Sequence, residues 1–376
     1  MITSEKQIHQ KAQQKMFRRN LYMQVLETGS RGLLDKIGIL KWPLLLIAYA
    51  YTVHVTINVF FTFMRIHNMM KILDIAGYAA RSFFACLNLR QAFEISTPSK
   101  RLMQRLSFED GQRRRLEVST FLKVFILVYF VIELSFSIDF VLNGDIGEYC
   151  GSFLYGTNIS TTNITQEVIM AAAFLNLTLF DILSIVPGLL MVDYIAATLR
   201  LRRLLASFTA TVLNGRLKKA ITSTEVKRYQ DLSYDAWREL KRIDDIYTTL
   251  VFLWYLDILI NLVLSMRNLA KGVSSRQFAL DATYYIVIFI TLSLSASSVD
   301  TEAKELMQEV KQLRSSIDED DWQTGGQILL LETGLQSSRI VLSSGHFCVI
   351  DRPFILGVVG AIATYTILVV QLTPPG

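Results

Sequence analysis

The chain has 376 residues, 51% of them hydrophobic and only 19% charged, with a formal net charge of +5. Mean hydropathy is +0.35, and the apolar residues gather in blocks close to the roughly 20 residues that cross a bilayer as a helix. This excludes an ordinary soluble domain and, with no alternating strand pattern, a membrane β-barrel; the expected fold is an all-α membrane protein, because a helix satisfies its own backbone in lipid. Cys86, Cys150 and Cys348 and four scattered histidines offer no metal or disulfide framework. No nucleophile elbow or phosphate-binding glycine loop is present, so no enzyme, metal, cofactor or nucleic-acid partner is expected.

Taken in chain order, residues 1–41 are polar and hold eight Lys and Arg. They predict a cytosolic N-terminal region with no cleavable signal, since the first apolar block starts near Trp42. Blocks at 42–64, 121–142, 167–193, 246–266, 281–299 and 353–372 predict membrane helices. The block 72–94 contains Asp74 and Arg81, and charge decides its status. The flanking stretch 95–120 holds six basic residues, 195–245 eleven, and 143–166 none. Basic loops stay in the cytosol, so an even number of crossings separates 1–41 from 95–120, and 72–94 must span. Seven crossings result, with the N-terminus cytosolic and the C-terminus extracellular. This is opposite to a G-protein-coupled receptor. The sequons at Asn158 and Asn163 fall in the outer loop without basic residues and predict glycosylation there.

The organisation expected is a six-helix bundle over 42–299 containing a cytosolic helical loop at 195–245, a cytosolic helical assembly region at 300–351, and a last helix with an extracellular end at 352–376. Within the loop, Asn214-Gly215 reads as a break, and Thr222 or Ser223 as the cap of a helix entering the fifth span. Ala303, Leu306, Val310, Leu313 and Ile317 recur at helical spacing and form one apolar stripe. Asp318-Glu319-Asp320-Asp321 ends that helix, Gly325-Gly326 reads as a turn, and 327–344 as a further amphipathic helix.

The C-terminus carries Thr364-Tyr365, five residues, then Gln371-Leu372, preceded by the run Gly345 to Tyr365, GHFCVIDRPFILGVVGAIATY. This resembles the Thr-Tyr-five apolar-Gln-Phe signature of insect gustatory receptors and the family's Cys-x-x-Asp-Arg entry to its last helix. Leu372 replaces the commoner Phe, as in related co-receptors of smell. Thr366 stands where a sugar-sensing branch has Glu, which disfavours a sweet-taste assignment. The resemblance implies a ligand-gated non-selective cation channel in the plasma membrane of chemosensory neurons. It would be a homotetramer, or a heteromer with related receptors, opened by a small-molecule tastant of bitter or other non-sugar type. It also implies a lipid-embedded pore lined by the last helix, passing monovalent and divalent cations, and a small-molecule pocket in the earlier spans.

On such an axis Gln371 becomes a ring of uncharged amides near the outer mouth, able to replace part of a cation's hydration shell. Leu368, one turn deeper, is the candidate apolar gate, with Thr364 below it. Tyr365 points elsewhere and locks the helix to its neighbours. Polar and aromatic residues within the spans are the ligand candidates: Tyr78, Arg81, Glu133, Asp139, Asn176, Tyr255, Asp257, Asn261, Tyr284 and Tyr285. If Arg81 is paired, Asp74, Asp139, Asp257 and Asp281 leave a surplus of acid that favours amines or polyhydroxy ligands. The alternative is a transporter of small organic molecules. Transporters often carry helices broken by Gly or Pro at mid-membrane, but here Pro187-Gly188 lies near the inner end of the fourth span, no second half repeats the first, and an odd span number opposes simple duplication.

Overall fold

The computed structural model describes residues 41–65, 69–108, 124–132, 134–135, 166–217, 221–270, 275–317, 321–337 and 340–372, with some side chains of these helices left out. Most of the N-terminal region, residues 133 and 139 of the third span, and both sequons, Asn158 and Asn163, lie outside the described residues.

The elements are α1 (Lys41–Arg65), α2 (Met69–Phe108), α3 (124–132), α4 (Gln166–Leu217), α5 (Ser223–Ala270), α6 (Ser275–Ser315), α7 (Trp322–Ser337), the strands β1 (Ser343–Ser344) and β2 (Cys348–Val349), and α8 (Arg352–Leu372). The block 72–94 is helical throughout, inside α2. Among the described residues, two helical stretches, Ser223–Arg267 and Ala279–Ser315, are by themselves long and apolar enough to cross a membrane.

α4, α5 and α6 pack on one another, and α2 packs on α1, α4 and α5. Their shared core contains Leu89, Tyr194, Leu201, Tyr247, Leu250, Trp254 and Leu292. The three long helices continue well past the apolar blocks as one packed unit. There the stripe expected on α6 is buried: Leu306, Val310 and Leu313 are fully enclosed, and Ala303 and Ile317 are partly so. α7 covers this part of the core, resting on α5 and α6 through Ile328, Leu331 and Leu335. The stripe therefore has a partner inside its own chain. Ion pairs Arg202–Glu302 at 3.0 Å and Arg314–Glu332 at 3.1 Å tie the same helices at their edges.

Helix starts follow local side-chain chemistry. Thr222 caps α5: its Oγ1 accepts the Glu225 N–H at 3.3 Å, and Glu225 Oε2 accepts the Thr222 N–H at 3.0 Å, a reciprocal capping box. Asp321 Oδ1 accepts the Thr324 N–H at the start of α7, and Asp351 Oδ1 accepts the Phe354 N–H at 2.9 Å at the start of α8.

Three sequence expectations need correction. Asn214-Gly215 does not break α4, which runs on to Leu217; Gly215 serves close packing instead, since an added Cβ there would strike the Tyr229 hydroxyl. Gly325-Gly326 is not a turn but the first turn of α7, held by the Asp321 cap. The amphipathic helix expected over 327–344 ends at Ser337, and a hairpin follows, with Ser343 opposite Val349 and Ser344 opposite Cys348. Gly345 and His346 both have positive φ, 62° and 60°. A side chain at Gly345 would also crowd Phe252 at 3.1 Å, so glycine is required there on two counts.

Candidate ligand cavity and pore helix

A cavity of about 40 Å³ lies among α2, α3, α4, α5 and α6. This is room for a few water molecules at roughly 15 Å³ each. Its walls are Ala85 and Asn88 of α2, Tyr129 and Phe130 of α3, Pro187, Gly188 and Met191 of α4, Trp254, Asp257 and Ile258 of α5, and Tyr284, Tyr285 and Ile288 of α6. Pro187 removes a backbone donor from the interior of α4. At Gly188 a Cβ would reach only ordinary contact with Ile126, 3.5 Å away, so the bare backbone sits just behind α3.

Aromatic rings dominate the cavity. The Tyr129 and Tyr284 rings stack within 9° of parallel, and Tyr284 meets Tyr285 edge-on at 5.2 Å. The Tyr129 hydroxyl donates to Asp281 Oδ1 at 2.9 Å, which partners a carboxylate buried in the core. Asn261 Nδ2 donates to Asp257 Oδ1 at 3.0 Å and to the Asp257 carbonyl at 2.7 Å, fixing that carboxylate at the wall. Two further polar groups sit on lining residues without a partner among the described residues: Asn88 Oδ1 and Trp254 Nε1, both on residues 1% exposed.

Of the ligand candidates drawn from sequence, Asp257, Tyr284 and Tyr285 come together at this cavity. Asn261 stands behind Asp257. Tyr255 faces another way: its hydroxyl pairs with Ser293 Oγ at 3.0 Å, and its ring meets Phe289 and, at 5.3 Å, Phe354 of α8. Tyr78 and Arg81 lie on α2 and Asn176 on α4, with their side chains outside the description; Glu133 and Asp139 are outside the described residues altogether. Asn88, Tyr129, Phe130 and Trp254 were not among the sequence candidates. A helical-face signal for Asn88 existed: Tyr78, Arg81, Ala85 and Asn88 follow the three- and four-residue spacing of a single helix face.

α8 packs against α5. Phe354, Ile355, Val358 and Ile362 form the face turned to the core. At 100° per residue, Gly357, Gly360, Thr364 and Gln371 lie on the opposite side. Nothing approaches within 4 Å of a Cβ built on either glycine. Leu368 flanks this open side and is 49% exposed; Leu356 is 72% exposed. Thr364 Oγ1 donates to the Gly360 carbonyl at 2.8 Å, so its hydroxyl is satisfied along the helix. Tyr365 turns toward the core side of the helix but remains 39% exposed.

The hairpin before α8 is fastened to α5. Asp244 Oδ1 accepts the Ser343 N–H and the Ser343 hydroxyl, each at 2.9 Å. The Gly345 N–H donates to the Thr248 carbonyl at 2.9 Å, and the His346 N–H to Thr248 Oγ1 at 3.2 Å. A single helix, α5, therefore carries a cavity wall through Trp254, Asp257 and Ile258. It also carries the seat of α8 through Tyr255, and the anchor of the hairpin through Asp244 and Thr248.

No protein-family model and no curated protein matches the chain. Solved structures do. The insect olfactory receptor OR5 from Machilis hrabei in complex with eugenol superposes with a TM-score of 0.65 at 13% identity, covering 91% of this chain and 98% of that one. Another structure of the same receptor gives a TM-score of 0.62 at 14% identity over 88% of each chain. With nearly the whole of both chains superposed, this protein has the fold of the insect olfactory receptors.

Proposed function

We propose that the chain is a gustatory receptor acting as a ligand-gated non-selective cation channel, a receptor and not an enzyme. The observation that carries this reading is the double seating of α5. Any ligand that shifts Trp254 and Asp257 at the cavity moves the helix that holds Phe354 and the hairpin of α8. The likeness to olfactory receptor structures, one of them holding a small molecule, supports the same reading.

In this reading four chains, identical or mixed with related receptors, bring the open face of α8 to a common axis. Thr364 and Gln371 line the water-filled path for monovalent and divalent cations, and Leu368 closes it by dewetting. Tyr365 holds the helix to its surroundings. Seven spans place the N-terminus in the cytosol and the glycosylated loop with Asn158 and Asn163 outside, in the plasma membrane of chemosensory neurons. Ligand pressing on Trp254 and Asp257 is the force on α5. Aromatic walls and Thr366 favour a bitter-type or other non-sugar ligand. A transporter is disfavoured by the continuity of α4 through Pro187-Gly188, where a broken helix was the feature to find.

Whole-cell recording from cells expressing the chain, with a panel of alkaloids, amines, phenols and sugars, tests this. Wild type runs beside Leu368→Ala and Gln371→Ala. An evoked cation current whose resting leak rises in the first variant and whose permeability ratios shift in the second is expected. Stoichiometric saturable uptake without passive current would replace the channel with a transporter. A current indifferent to both substitutions would remove the pore assignment.

A further inference from the structure

Resting on the cavity as the ligand site of that receptor, we propose that Gly188 sets the size of ligand the receptor accepts: its missing side chain supplies part of the space. Gly188 lies in the interior of α4, directly after Pro187, and is buried. Only proline is a poorer helix former than glycine, so a glycine at this position calls for a reason. Two other glycines of the fold have one. Gly215 is pressed by the Tyr229 hydroxyl, and Gly345 has a φ of 62° and lies against Phe252. Gly188 has neither. Its φ is not positive, and among the described residues a Cβ built on it meets only Cγ2 and Cδ1 of Ile126, at 3.5 and 3.8 Å. Both are ordinary contacts, so a methyl group fits there without strain. Yet atoms in a protein interior are normally packed on all sides. Apart from Ile126 and its own helix, nothing described approaches this position, and the void that Gly188 borders is the cavity. That void is about 40 Å³, room for a few water molecules, so one methyl group removes a substantial share of it. Met191, one turn along α4 and also on the wall, is a flexible side chain that can swing aside for a larger molecule. A methyl group carried on the α4 backbone cannot. Gly188 is thus the rigid limit of the site and Met191 the adjustable one. The ligand class is a small ring-bearing molecule, because Tyr129, Phe130, Tyr284 and Tyr285 give the cavity aromatic walls.

The test is ligand-induced thermal stabilisation of the full-length protein in lipid nanodiscs, which reads binding without requiring a current. The probes form a size ladder: benzene, toluene, ethylbenzene and propylbenzene. Without ligand, Gly188→Ala should melt at the wild-type temperature or above it, since alanine favours the helix. It should lose about tenfold or more in affinity for the largest member that wild type binds, with smaller losses for the smaller members. Adding Met191→Ala returns space one turn away and should recover the lost affinity. Stability kept while the size limit falls is a pair of results that a purely structural glycine does not give. Equal affinities for wild type and Gly188→Ala along the whole ladder overturn the proposal. A melting temperature lowered by Gly188→Ala also overturns it, by assigning the glycine to packing. So does a loss that is the same for every member and is not recovered by Met191→Ala, or a wild type that binds no member of the ladder. A size limit moved by Gly188→Ala in a protein that passes no current leaves this role standing and defeats the channel reading. An evoked current whose ligand range is the same in Gly188→Ala does the reverse.

Discussion

The bundle of α4, α5 and α6 and the single helix α8 use apolar residues in opposite ways. In the bundle, and along its long extensions, the apolar faces meet inside the chain: Leu201, Leu250, Leu292, Leu306 and Val310 are all closed off from the surroundings. α8 is at least as apolar in sequence, yet it gives one face to α5 and leaves Leu356, Val359, Ile367 and Leu368 uncovered. The lesson is that apolar character does not say what a helix packs against. A helix whose contacts close within its own chain builds the fold, whereas one whose second face stays open requires lipid or other subunits to cover it.

The contrast breaks most visibly at the extension core. Leu306→Ala should cost about 2–5 kcal/mol, the range for truncating an enclosed leucine, read as a lower melting temperature of the detergent-purified protein and reduced surface expression. Leu330→Ala, on the exposed side of α7, should stay within about 0.5 kcal/mol of wild type in the same assay. Equal effects would mean that α7 is covered by another subunit in the purified particle. Gly215→Ala should destabilise by about 1–3 kcal/mol through overpacking against Tyr229, and Tyr229→Phe in the same chain should restore part of the loss by removing the struck hydroxyl. Failure of that rescue would mean that the clash is relieved elsewhere.

Between the two regions stands Tyr255. Tyr255→Phe removes the Ser293 hydrogen bond and should cost about 1 kcal/mol. Phe354→Ala removes the ring contact and should shift the concentration needed for half-maximal current while ligand-induced thermal stabilisation stays put. A parallel shift in both readouts would place Tyr255 and Phe354 in binding and not in transmission. The smallest stability effect belongs to α8 itself: Leu368→Ala and Gln371→Ala should leave melting within about 0.5 kcal/mol of wild type. A larger loss would show that this face is already packed in the assembled particle.

Local patterns were legible residue by residue. The Thr222 cap, the α6 stripe and the extent of α8 follow from spacing and capping chemistry, which act over one or two turns. The three cavity residues found from sequence, Asp257, Tyr284 and Tyr285, are polar or aromatic in an apolar block and stand out for that reason. Asn88 was hidden beside the more conspicuous Arg81, and Trp254 reads as ordinary core until the structure leaves its N–H unpartnered. Gly325-Gly326 misled because a dipeptide that favours turns was overridden by a capping aspartate and by burial of Ile328 and Leu331.

By itself, then, the sequence determined helix periodicity, the cap at Thr222 or Ser223 and the helical class, because these depend on neighbours within a few residues and on a backbone that must bond itself in lipid. Only the tertiary structure decided that Tyr255 turns to α8 while Trp254 turns to the cavity, one residue away. Adjacent positions on a helix point about 100° apart, so which of them lines the cavity and which meets α8 depends on where the other helices lie.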